Sequence, residues 1–78
     1  MKSKRKRIYY KDDEALKSIG DKIRELRIGK EISQETLANE CDLDYSQVNR
    51  MELGKVNFSI SNLYRIARAL NVDPKELL

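Results

Sequence analysis

Apolar residues recur along this chain at helical spacings and nowhere at the spacing of a strand. Leu16, Ile19, Ile23 and Leu26 follow one another at intervals of three, four and three, which lines one face of an α-helix. Asp12 or Asp13 is placed to cap its start, where acidic groups also suit the helix dipole, and Gly29 to end it. Gly20 interrupts this helix at a cost of up to about 1 kcal/mol relative to alanine, so a close neighbour is expected against it. Ser33 opens a short second helix, Gln34 to about Cys41, with Leu37, Ala38 and Cys41 facing inward. Asp44, with Gln47 three residues on, has the spacing of a capping box. It starts a third helix that reaches Met51 or Glu52, turns Val48 and Met51 inward and stops before Gly54. Ser59 or Ser61 caps a fourth helix striped by Ile60, Leu63, Ile66, Ala67 and Leu70. Asp73-Pro74-Lys75-Glu76 then offers a cap, a proline at the first helical position and a glutamate at the third, which predicts a fifth. The expected fold is all-α, a compact domain of five short helices.

Composition removes most alternatives. Seventy-eight residues with 40% apolar content support one core, and a domain of this size buries only about 60% of its unfolded surface. One cysteine excludes an internal disulfide and a paired CxxC zinc site. The absence of histidine removes the commonest general base and the commonest metal ligand. With no glycine-rich phosphate loop either, an enzyme is the least favoured class, and no metal or cofactor is expected. Cys41 lies on an apolar face with nothing nearby to lower its pKa, and reads as core filler. No apolar run approaches the ~20 residues of a membrane span, and no apolar stretch follows the basic N-terminus as in a signal peptide. A cytoplasmic protein is the expectation.

Charge divides the chain in two. Residues 1–11 carry Lys2, Lys4, Arg5, Lys6, Arg7 and Lys11 and no acid. Residues 12–78, the helical domain, hold ten basic residues against thirteen acids, a net of −3 within an overall +3. An acidic body approaches DNA poorly by itself, so Lys4, Arg5, Lys6 and Arg7 are candidates for phosphate or minor-groove contact. A solvated tail is the alternative. Tyr9 and Tyr10 are placed to anchor the arm to the body or to stack elsewhere.

Only Asp42-Leu43-Asp44 separates the second helix from the third. So short a link forces a large angle between them, as in a helix-turn-helix. Asp42 tolerates the positive φ such a turn needs, and Leu43 can pin the turn to the core. The outward positions of the third helix are Tyr45, Ser46, Asn49 and Arg50, all hydrogen-bonding and none bulky-apolar. That composition suits a helix inspecting base edges in a major groove.

These stretches, IGDKIRELR, SQETLA, LDYSQVNRMELGK and SISNLYRIARALNVDPKELL, resemble the phage Cro/repressor (XRE-like) type of helix-turn-helix protein. The resemblance runs from Ile19 to Leu77 and departs from the family at Asp42, where a glycine is usual, and in the long basic arm. It implies a five-helix domain that binds a palindromic double-stranded DNA operator, usually as a homodimer. By the same resemblance Gln34 contacts a phosphate, Tyr45, Ser46 and Asn49 read bases, and Arg50 reaches the backbone. Arg27 and Glu52 match a buried ion pair tying the first helix to the end of the third.

Physical chemistry bears on these roles separately. Gln34 sits at a helix N-terminus, which attracts anions. Asn49 carries the donor and acceptor that fit adenine, and Tyr45 suits either a thymine methyl or a phosphate. Asp44, within the same face, is better suited to capping than to lying near phosphates. Val72, Leu77 and Leu78 either close the core or form a two-fold dimer contact. A stand-alone transcriptional regulator is therefore the leading expectation. The alternative is a protein-binding module, such as an antitoxin whose DNA-binding fold also masks a toxin.

Overall fold

Every helix begins at a capping side chain. In the computed structural model, which describes residues 10–78, α1 spans Asp13–Gly29 and the Asp12 carboxylate accepts the Ala15 N–H at 3.0 Å. α2 spans Gln34–Cys41, with the Ser33 hydroxyl accepting from Thr36 N–H at 3.0 Å. α3 spans Tyr45–Glu52, and Gln47 Oε1 accepts the Asp44 N–H at 3.0 Å in the predicted capping box. α4 spans Ile60–Leu70, and the cap is Ser59 rather than Ser61. No strand occurs among the described residues.

The fifth element departs from expectation. Pro74–Leu77 forms a single 3-10 turn, closed by Glu76 N–H to Asp73 O at 2.8 Å and Leu78 N–H to Lys75 O at 3.1 Å. These bonds run i→i+3, the tighter pattern that short helical pieces adopt, and the turn lays Leu77 into the core. The domain is all-α, with four α-helices.

The helix exits share one device. Glu31, Asp42, Gly54 and Asn71 all have left-handed φ, between 59° and 71°. Just beyond them, Ile32, Leu43, Lys55 and Val72 each donate a backbone N–H to the carbonyl five residues back, at 2.9–3.3 Å. The half-buried Ile32, Leu43 and Val72 pack against the core at these exits. α1 ends at Gly29 as expected, although the left-handed reversal is made by Glu31 two residues on.

The stripes converge on one core of Ile23, Leu37, Ala38, Cys41, Val48, Met51, Leu63, Ile66, Ala67, Leu70 and Leu77. Gly20 lets α1 cross the end of α3 closely, because a Cβ there would meet the Met51 carbonyl oxygen and lie 2.7 Å from that of Glu52. One expectation fails, and one open choice is decided. Ile60, the first residue of α4, is 69% exposed at the rim of a surface cleft that it shares with Leu16, Ile19 and Leu78. Leu77 is 0% exposed, so this residue closes the core of its own chain and offers no side chain to a dimer partner. Val72 is half-buried, and of the three only Leu78, 66% exposed, presents a free apolar side chain.

Candidate nucleic-acid interface

The turn between α2 and α3 is built from three residues with separate jobs. Asp42 adopts φ 59°, ψ 43° and reverses the chain. Leu43 donates its N–H to Ala38 O at 2.9 Å and tucks a half-buried side chain against the core. Asp44 caps α3. A fourth residue, which sequence reasoning missed, braces the turn from outside: Arg65 on α4 donates from Nη1 to Cys41 O at 3.1 Å. Arg65 occupies an outward position of α4, and nothing in its local sequence distinguishes it from a solvated arginine. Because a non-glycine residue bears the left-handed strain, Asp42→Gly is expected to stabilise the domain by about 0.5–1 kcal/mol. A rise of a few degrees in the thermal midpoint would register this; a fall would mean the aspartate side chain holds the turn.

α3 buries Val48, Met51 and Glu52 and leaves Tyr45, Ser46 and Arg50 exposed, with Tyr45 at 53% and Asn49 half-buried. Arg50 forms no ion pair among the described residues. The short length and sharp entry of α3 set this outward face directly beside the N-terminus of α2. There the backbone N–H groups of Gln34 and Glu35 precede the first intrahelical bonds, and the dipole favours an anion.

Beneath this face lies a hydrogen-bonded network. Arg27 Nε donates to Glu52 Oε2 at 2.6 Å and Nη2 to Glu52 Oε1 at 3.0 Å, a bidentate pair joining α1 to the end of α3. Arg27 Nη1 also donates to Ile32 O at 2.9 Å. The Glu52 hydrogen bond holds the guanidinium above even its ordinary high pKa, against the opposing effect of burial. The network continues outward: Gln34 Nε2 donates to Glu52 Oε1 at 2.9 Å, and Asn49 Nδ2 donates to Gln34 Oε1 at 3.2 Å. The Gln34 side chain is thus turned into the protein, joined to the very asparagine that the sequence singled out. Residues 18 and 15 positions apart make these bonds, so no local pattern could have revealed them.

The remaining candidates fall elsewhere. Lys4, Arg5, Lys6 and Arg7 lie outside the described residues. The root of the arm is held by its backbone, with Asn57 Nδ2 donating to Tyr10 O at 2.9 Å, while the Tyr10 ring stays exposed. Burial pushes the Cys41 thiol above its ordinary pKa, so it stays a neutral, unreactive group. Among the described residues no cluster of histidine, cysteine or acidic side chains could hold a metal, and no helix is long and apolar enough to cross a membrane.

Comparison with known proteins agrees with this geometry. The family described as Helix-turn-helix matches residues 23–77. The chain is 45% identical over 60 residues to the control protein C.BamHI of Bacillus amyloliquefaciens, covering 76% of this chain and 74% of that protein. Its fold is similar to the crystal structure of the restriction-modification controller protein C.AhdI from Aeromonas hydrophila. The TM-score there is 0.79 at 44% identity, over 81% of this chain and 96% of that one. The hypothetical transcription factor NHTF from Neisseria superposes with a TM-score of 0.78 at 33% identity, over 88% of this chain and 79% of its own. With more than half its length matched and both relatives and solved folds in accord, the chain belongs to the helix-turn-helix family, one of transcriptional regulators rather than enzymes.

Proposed function

We propose that this regulator binds a palindromic double-stranded DNA operator as a homodimer, with α3 of each protomer in a major groove. The observation that carries the reading is the polar face of Tyr45, Ser46, Asn49 and Arg50, aimed outward by the three-residue turn. Asn49 supplies an amide for adenine, Tyr45 and Ser46 meet neighbouring bases, and Arg50 reaches a phosphate. The amide groups that open α2 take a second phosphate. The basic arm, rooted beside Asn57 in the loop after α3, adds phosphate or minor-groove contacts through Lys4, Arg5, Lys6 and Arg7. Exposed Ile60, Tyr64 and Leu78 form the apolar surface for the second protomer, and half-buried Val72 is a further candidate for it. A two-fold dimer sets the reading helices one DNA turn apart, about 34–36 Å. Similarity to controller proteins, one of them of a restriction–modification system, favours control of such a system as the biological setting, in the cytoplasm on nucleoid DNA.

Selection of bound sequences from random DNA at two salt concentrations tests this reading. Inverted repeats spaced by one helical turn are expected, and unstructured or direct-repeat preferences would overturn the dimer geometry. Removing residues 1–7 is expected to flatten the salt dependence of affinity by roughly one slope unit for each phosphate that the arm no longer neutralises. An unchanged slope would return the arm to the solvent.

A further inference from the structure

We propose that Glu52 sets the donor–acceptor polarity of Asn49 through Gln34, making Gln34 a positioning residue for base specificity. This rests on α3 entering the major groove and concerns what fixes the reading group once it is there.

The constraint starts in the core and passes outward. Glu52 is 3% exposed, and both of its carboxylate oxygens accept from the Arg27 guanidinium, so this side chain meets its neighbours as a hydrogen-bond acceptor. Gln34 must therefore present Nε2 to it, as it does at 2.9 Å, since its oxygen there would face a negative charge. With Nε2 committed inward, Oε1 sits at the other end of the amide. That oxygen again only accepts, so Asn49 must present Nδ2, as it does at 3.2 Å. Turning the Asn49 amide over would set Oδ1 against Gln34 Oε1. Each link removes the freedom of the next, and a charge fixed in the core is felt two side chains away at the surface.

Asn49 is left with Oδ1 and one N–H proton for the groove. Adenine offers the matching pair, a donor at N6 and an acceptor at N7, whereas guanine offers two acceptors. A freely rotating amide can present either end to guanine O6. An amide whose polarity is dictated from Glu52 satisfies both its oxygen and its remaining N–H on adenine, whereas guanine can accept the N–H but leaves the oxygen facing a second acceptor, so adenine is preferred. Half-burial of both Gln34 and Asn49 keeps water from competing for the links.

The test is Gln34→Met, which keeps the side-chain length and ends the relay, compared with Asn49→Ala on the same panel of operators. Asn49→Ala is expected to abolish preference at one base pair per half-site, a loss of about 5–150-fold in discrimination. Gln34→Met is expected to reduce adenine-over-guanine preference at that same base pair by threefold or more, leaving other positions and the salt slope unchanged. Uniform weakening across all sequences with Gln34→Met would overturn the relay and make Gln34 a phosphate ligand. If Asn49→Ala leaves every position unchanged, the base-reading role itself fails and the relay with it. A measurement without DNA stands beside these and needs no variant to fold: the Asn49 side-chain amide protons of the intact chain should show slowed exchange by NMR. Amide protons exchanging like those of a solvated asparagine would overturn the proposal.

Discussion

Glu52→Ala is expected to destabilise the domain by about 3–5 kcal/mol, the cost of leaving a buried charge without its partner. The Arg27 side chain is 12% exposed and that of Glu52 only 2%, so water cannot replace the missing carboxylate. Arg27 would keep just one bond, to the Ile32 carbonyl, and Gln34 would lose its acceptor. A small domain has a total stability near the low end of about 5–15 kcal/mol, so most of it would disappear. Urea unfolding followed by circular dichroism measures this directly. A loss below about 1 kcal/mol would mean the pair behaves as a solvated surface contact. Replacing Arg27 and Glu52 together with apolar residues of similar volume should recover most of the loss, because the penalty lies in the orphaned charge and not in the absent attraction.

Leu77→Ala is expected to cost about 2–5 kcal/mol, through lost transfer energy and the cavity left behind. Leu77 is fully buried among residues of α4 and the rest of the core, although it lies next to the last residue of the chain. Its loss should therefore appear as the same shift in unfolding midpoint at every protein concentration. Leu78→Ala, one position on, should change that midpoint little and instead raise the concentration needed for dimers in sedimentation. A concentration-dependent effect of Leu77→Ala would return this leucine to an interface between protomers.

The contrast between these neighbours shows where sequence reading runs out. Both are leucines at the end of the same turn, and apolar character alone does not say which faces inward. Ile60 makes the same point in reverse, since its spacing fits the buried stripe of α4 and its side chain lies in solvent. Ser33, by contrast, is legible as a cap, and Ser59 as one of two candidates beside Ser61, because a cap is a bond over three residues, written in adjacent letters. The pairing of Arg27 with Glu52 came only from resemblance to a family; the residues themselves lie 25 positions apart.

What this chain determines from its letters is therefore local: the helices, their caps, the three-residue turn, and a polar outward face on α3. Those features depend on interactions reaching four or five residues, which a linear pattern records. Tertiary packing alone decided that the last element is a 3-10 turn with Leu77 sealed beneath it, that Arg65 braces the turn, and that Gln34 points inward. Each of these depends on which surfaces meet when α1, α2, α3 and α4 close on one another. The hydrogen-bond partners of Glu52 exist only after that closure, because the groups that satisfy this buried charge are brought to α3 from two other helices, Arg27 from α1 and Gln34 from α2.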